Sequence, residues 1–179
     1  RPLVCTSGNR SGAPLAIDLA EARRALDGVA DAFLDHDRPI LRPADDSVLR
    51  LDAGVPLLLR RARGMPLTLP IAPGPTVLAL GAHSRATVAL AWGDQLLLSP
   101  HLGDLDHPDA RDRLRQTVAD WLRWTGARPD ALACDLHPDY GSTRVAEDLA
   151  AAMGRPLQRV QHHHAHTAAI LIEHGRAGP

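Results

Sequence analysis

Short apolar runs separated by polar turns fill the first third of this chain. Helical stripes alternating with strands fill its second half. Residues 2–6 form an apolar run with Leu3, Val4 and Cys5, which predicts the end of a buried strand. A polar turn with two glycines follows, from Thr6 to Gly12. Asp18 with Glu21 three residues on reads as a capping-box-like start. Leu19, Ala22, Leu26 and Val29 then recur at helical spacing. Residues 31–41 read as a strand interrupted by Asp-His-Asp-Arg-Pro. Residues 47–51 and 55–59 predict two strands, joined by the hairpin turn Asp52-Ala53-Gly54.

The pattern then shifts. Pro66, Pro70, Pro73 and Pro75 crowd one stretch, which predicts an extended, semi-rigid linker over 66–75 between domains at 1–65 and 76–179. Beyond it, apolar runs at 76–80, 87–92 and 95–99 predict a three-stranded meander. Residues 110–125 predict a helix whose apolar face comes from Leu114, Val118, Trp121, Leu122 and Trp124. A strand at 131–134 follows, then a helix at 142–153 with Ser142 as N-cap, a strand at 157–160, and a helix at about 163–174. The order β-β-β-α-β-α-β-α predicts an α/β fold whose sheet becomes parallel, with helices packed on it.

Composition narrows the classes. Hydrophobic residues are 45% and charged residues 23% of 179, an ordinary globular balance. A chain of this length buries roughly two-thirds of its unfolded surface. No apolar run approaches a membrane span of about 18 residues, and the start does not read as a signal peptide or an initiator Met. The net charge of −1 argues against a nucleic-acid partner. All 20 cationic residues are Arg, which fits genomic bias and also bidentate anion binding. Cys5 and Cys134 stand far apart without a CxxC pattern, which favours a cytoplasmic location over a disulfide scaffold.

Four segments carry candidate chemistry. In Gln161-His162-His163-His164-Ala165-His166, His162 and His166 are four apart, so on a helix both imidazoles share one face, as two ligands of a transition metal do. A His-rich solvated surface and a purification-tag remnant are the alternatives. The turn from Thr6 to Gly12 offers N–H groups, hydroxyls and the Asn9 amide to a phosphate, or is only a connection. Arg60, Arg61 and Arg63 form an anion site or a solvated face. In Asp135-Leu136-His137-Pro138-Asp139-Tyr140, just after a predicted strand, two carboxylates, a His and the only Tyr converge where ligands of open α/β sheets bind, with Asp135 and His137 as the candidate catalytic pair and a structural His-Pro turn as the alternative. The loop from Ser99 to Leu105 sits at a similar strand end.

Taken in order, TSGNRSG, ADAFLDHDRPILRPADDSVLR, LRRARG, LSPHLGDL, DLHPDYGSTRVA and VQHHHAHTAAILIEHG resemble the HypF family of hydrogenase-maturation carbamoyltransferases, over essentially the whole chain. The resemblance implies the C-terminal part of a YrdC-like domain, followed by the first half of a TsaD-like domain of the actin/Hsp70-like ATPase superfamily. It implies that carbamoyl phosphate and ATP (with Mg) form carbamoyl adenylate, and that the carbamoyl group passes to the C-terminal Cys of a partner, HypE. It implies nucleotide contacts from Ser7, Asn9, Ser47, Arg60, Arg63 and Arg85. It implies zinc or iron on His162 and His166, with a third, Asp ligand downstream in the family.

The chain departs from the family where G-x-x-L-K-N-T is usual. Arg85 replaces the Lys and Ala86 the Asn, and Pro100 replaces a Gln before His101. A small-molecule O-carbamoyltransferase, or a truncated chain that only binds metal, are the competing expectations. Turnover by the 179 residues alone is not expected, because catalysis needs all reacting groups in near-attack geometry.

Overall fold

A computed structural model describes residues 2–11, 13, 15–65 and 68–176. Gly12 of the first turn and Pro66 of the proline-rich stretch lie outside the described residues. The chain divides into two compact units, Arg1–Met65 and Pro66–Pro179.

In the first unit, helix α1 spans Leu19–Ala25. Asp18 caps it, accepting from the Glu21 N–H at 2.7 Å, while the Glu21 carboxylate reaches back to the Ile17 N–H at 3.0 Å. This is the capping box moved one residue outward. The helix stops before Val29, which is exposed. The Arg10 guanidinium donates to the carbonyls of Ala25 (2.6 Å) and Asp27 (2.9 Å), groups a helix end leaves unpaired. Strands β1 (Val48–Asp52) and β2 (Val55–Arg60) pair antiparallel. Their turn places Ala53 at φ 49° and Gly54 at φ 81°, the doubly left-handed geometry of a tight hairpin.

The strands expected at 2–6 and 31–41 do not form. Leu3, Val4, Leu34 and Leu41 are exposed instead. The unit's sheet has only two strands among the described residues, and an apolar run becomes a strand only when a neighbour takes its N–H and C=O groups. Among the described residues of this unit, Ala62 is the one buried apolar side chain.

The second unit holds a six-stranded mixed sheet in the order β3-β6-β5-β4-β7-β8. Its strands are β3 (Thr68–Pro70), β4 (Val77–Gly81), β5 (Thr87–Trp92), β6 (Gln95–Leu98), β7 (Ala131–Asp135) and β8 (Leu157–Val160). The proline-rich stretch is therefore more than a linker, because β3 pairs antiparallel with β6 at the sheet edge, where Pro70 is tolerated. The meander β4-β5-β6 is antiparallel, whereas β4-β7 and β7-β8 are parallel.

Alternate residues of these strands bury one face, with Leu78, Leu80, Val88, Leu90, Leu97, Leu132 and Cys134 all in the core. Helix α2 (Pro108–Thr125) contributes Leu114, Val118 and Trp121 to that core, and helix α3 (Gly141–Met153) contributes Val145, Ala146 and Ala150. Fully burying each Leu or Val stabilises by about 1.5–3 kcal/mol before entropy is counted. Trp124 is exposed, because it lies about 90° around α2 from the middle of that stripe.

Helix α3 begins at Gly141 with Tyr140 as N-cap, not at Ser142. The Gly141 N–H is satisfied by His83 from another loop, at 3.0 Å, so a serine cap is not needed. Helix α4 (His162–Glu173) is capped by Gln161, whose side-chain oxygen accepts from the His163 N–H at 2.7 Å. None of its residues is buried, so it is less embedded than the expected packed helix. No helix among the described residues is long and apolar enough to cross a membrane.

Burial pushes the Cys134 thiol up from its ordinary pKa, while Cys5 is exposed. Thiol titration with an aromatic disulfide reagent at neutral pH is therefore expected to modify one cysteine quickly in the native chain and both in denaturant. Two fast thiols in the native chain would show that the β7 core face is open.

Candidate functional site

Strands β4, β7 and β8 run parallel, so their carboxyl ends share one edge of the sheet. Three segments leave from there: the loop after β4 with His83, the loop after β7 with His137 and Tyr140, and the start of α4 with His162 and His166. The edge of an open sheet where strands end is where such folds gather ligand-binding groups.

The Asp135 carboxylate is 7% exposed and accepts from two directions. The His137 N–H donates to Oδ1 at 3.0 Å, and His162 Nδ1 lies 2.6 Å from Oδ2. Burial pushes this carboxyl up, but the His137 N–H, the His162 hydrogen bond and the charge of the two imidazoles outweigh it and hold it below the usual carboxylate range. His162 Nε2 then faces His166 Nε2 at 3.1 Å. Two nitrogens at that spacing, each about 2.1 Å from one ion, subtend roughly 95° at it. That angle lies between octahedral and tetrahedral coordination, so the pair fits one transition-metal ion. Among the described residues, no group of three His, Cys, Asp or Glu side chains completes such a site.

His163 and His164 are exposed, and His163 turns its Nδ1 to Gln161 Oε1 at 3.1 Å. The outer two histidines are the ones that converge, as the four-residue step on a helix requires.

Tyr140 joins the cluster. Its ring stacks on His137 with centroids 4.3 Å apart and on His83 at 5.4 Å, and it meets His162 edge-on at 6.5 Å. Sequence alone does not single out His83, and its partners explain why. Its Nδ1 accepts from the Gly141 N–H, and its Nε2 lies 2.9 Å from Asp106 Oδ1, contacts that span 58 and 23 residues. The available signal was its place in a turn just after a predicted strand. An open cleft of about 740 Å³ lies beside it, lined by His83, Asp106, Arg111, Arg115 and Arg144 among others. Arg115 and Arg144 are paired there with Asp148 and Asp139.

Of the remaining expected site residues, Arg85 is exposed, and its backbone N–H donates to Asp104 Oδ1 at 2.8 Å. Ser47, Arg60 and Arg63 come together in the first unit. Ser47 Oγ donates to the Arg63 carbonyl (2.9 Å) and accepts from the Ala62 N–H (2.9 Å). Arg60 Nη1 lies 3.7 Å from Asp45 Oδ2, and Arg63 pairs with Asp46. Mutual repulsion between Arg60 and Arg63 is therefore relieved without an added anion. Ser7 and Asn9 stand in a separate turn. Asn9 Nδ2 donates to the carbonyls of Arg10 (3.0 Å) and Ala13 (2.8 Å), and its Oδ1 is buried without a hydrogen-bond partner among the described residues.

A family model described as HypF Kae1-like domain matches residues 72–173, and one described as Telomere recombination matches residues 1–62. The chain belongs to the HypF family. Carbamoyltransferase HypF2 of Cupriavidus necator is 49% identical to it, over 99% of this chain and 23% of that protein. Carbamoyltransferase HypF of Synechocystis sp. is 43% identical, over 98% of this chain and 23% of that protein. A solved full-length HypF in the phosphate- and nucleotide-bound form matches with a TM-score of 0.87 and 34% identity, over 97% of this chain and 27% of that one. The HypF of T. kodakarensis matches with a TM-score of 0.89 and 34% identity, over 96% and 23%. The chain thus spans about a quarter of the length of its HypF relatives.

Gly141 offers a direct test of how this HypF-family site is held. A Cβ there would meet Leu105 Cβ at 2.9 Å and the Leu105 carbonyl at 3.2 Å. Gly141→Ala is expected to destabilise the second unit by about 1–3 kcal/mol, the cost of overpacking. Urea unfolding of the variant and the wild type measures this, and coincident transitions would refute the tight approach.

Proposed function

We propose that this chain is the part of a HypF carbamoyltransferase in which carbamoyl phosphate and ATP are turned into carbamoyl adenylate, whose carbamoyl group passes to the C-terminal Cys of HypE. Family membership, the carbamoyltransferase names of the relatives, and the phosphate and nucleotide bound by one solved relative support this reading. The observation that carries the metal part is the 3.1 Å separation of His162 Nε2 and His166 Nε2 at the strand ends.

In this reading His162 and His166 would hold zinc or iron, which would supply Lewis-acid chemistry at the site. The chain's own residues do the rest of the holding. The core beneath β4 and β7 fixes the strand ends, Gln161 starts α4 so that both imidazoles point one way, and Tyr140 backs the His162 ring. Two imidazoles leave further coordination positions to water, substrate or another ligand, so the 179 residues alone bind the metal weakly and do not turn over. In the first unit, Ser7, Asn9, Ser47, Arg60 and Arg63 serve nucleotide and phosphate groups, and in the second unit Arg85 serves the phosphate of a nucleotide bound to that unit. An anion at Arg60 and Arg63 has to compete with Asp45 and Asp46, which already engage them. The rival small-molecule O-carbamoyltransferase has no such support, since the relatives are named HypF.

Calorimetric titration of the chain with Zn²⁺ at pH 7.5 tests the metal reading. Removing an outer-sphere partner of a metal ligand costs about 10–100-fold in affinity, so losing a ligand costs at least that. His162→Ala and His166→Ala are expected to lose tenfold or more, while His163→Ala and His164→Ala stay within about twofold. Loss of binding on replacing the middle pair, with the outer pair silent, would contradict the assignment.

A further inference from the structure

The sequence marks Asp135 as a candidate for chemistry on substrate, but its surroundings give it another task. Both carboxylate oxygens are already engaged, Oδ1 by the His137 N–H at 3.0 Å and Oδ2 by His162 Nδ1 at 2.6 Å. The carboxylate is nine-tenths buried at the end of β7, while the His162 side chain is 41% exposed. A carboxylate held this deep is screened little by water. The neighbouring His83–Asp106 pair is different, because its carboxylate is 85% exposed to solvent.

The hydrogen-bond inventory then decides the state of His162. An ionised carboxylate only accepts, so His162 Nδ1 carries the proton. In a neutral imidazole the other nitrogen is then a bare lone pair. That nitrogen is Nε2, the atom facing His166 Nε2 at 3.1 Å.

We propose that Asp135 is a positioning residue that fixes His162 in its Nδ1-protonated tautomer and turns the Nε2 lone pair toward His166. The inference rests on reading His162 and His166 as metal ligands. It also fixes the ring plane, because the Oδ2 contact and the Tyr140 edge hold His162 from two sides. Cross-strand geometry makes this possible. Asp135 pairs in register with Val160, two residues before His162, so strand pairing itself delivers the carboxylate to the imidazole.

Asp135→Asn separates this role from a merely structural one. The amide oxygen still accepts from the His137 N–H, while the NH₂ group now faces His162 Nδ1 as a donor. The variant should therefore fold and move the proton of His162 to Nε2, which removes the lone pair from the metal side. Long-range ¹H–¹⁵N spectra of the metal-free chain at pH 8, with the His162 signal assigned by its loss in His162→Gln, read the tautomer directly. The expected result is Nδ1–H in the wild type and Nε2–H in Asp135→Asn, together with a 10–100-fold loss of Zn²⁺ affinity in the variant. Asp135→Ala, checked for folding by circular dichroism, should show mixed tautomers and a similar loss. An unchanged tautomer, or equal Zn²⁺ affinity in a wild type that binds and both variants, overturns the proposal. A wild type that takes up no Zn²⁺ contradicts the metal reading instead, and the tautomers still decide the part played by Asp135.

Discussion

Everything at the candidate site depends on the parallel pairing of β4, β7 and β8. Antiparallel neighbours send their chain ends to opposite edges, but parallel ones send every carboxyl end to the same edge. That single constraint brings His83, Asp135, His137, Tyr140 and His162 within reach of one another, although they come from segments up to about 80 residues apart. The pairing is secured from below. Leu78, Leu80, Leu132 and Cys134 lie on one face of β4 and β7, in a core that α2 and α3 join with Leu114, Val118, Trp121 and Val145. Side chains on such buried strand ends have little freedom to drift, which is the condition a site of fixed geometry needs.

The two units are built on different terms. The second has a contiguous core across five strands and two helices. The first is held mainly by polar bonds: the Asp18–Glu21 capping pair, Arg10 on the carbonyls ending α1, and Ser47 bridging Ala62 and Arg63. Hairpin residues such as Leu49, Leu51 and Leu57 remain exposed. A two-stranded sheet is marginal by itself, so the first unit draws its order from local hydrogen bonds more than from burial. The Asp45 and Asp46 carboxylates belong to the same economy of charge, since they neutralise Arg60 and Arg63.

What the sequence made legible follows from how local each signal is. The meander β4-β5-β6 was readable because strict alternation and tight turns are encoded within a few residues. His162 and His166 were readable because a four-residue step is a helix property. The HypF family match was readable because its motifs lie in order along the chain. The runs at 2–6 and 31–41 misled because apolar content predicts a strand only if a partner exists, and partners are not local. Asp135 stood out at a strand end, but its link to His162 spans 27 residues and needs the β7-β8 register. His83 and the carboxylates facing Arg60 and Arg63 were hidden for the same reason.

The central claim is that two imidazoles from one helix turn share one ion at the strand ends. X-ray absorption at the zinc edge of the loaded chain tests it most directly. The account predicts two imidazole scatterers per zinc at about 2.0–2.1 Å, with oxygen donors making up the rest, and one imidazole or none in His166→Ala. Zinc with oxygen donors alone in the wild type, or an unchanged spectrum in His166→Ala, would contradict it.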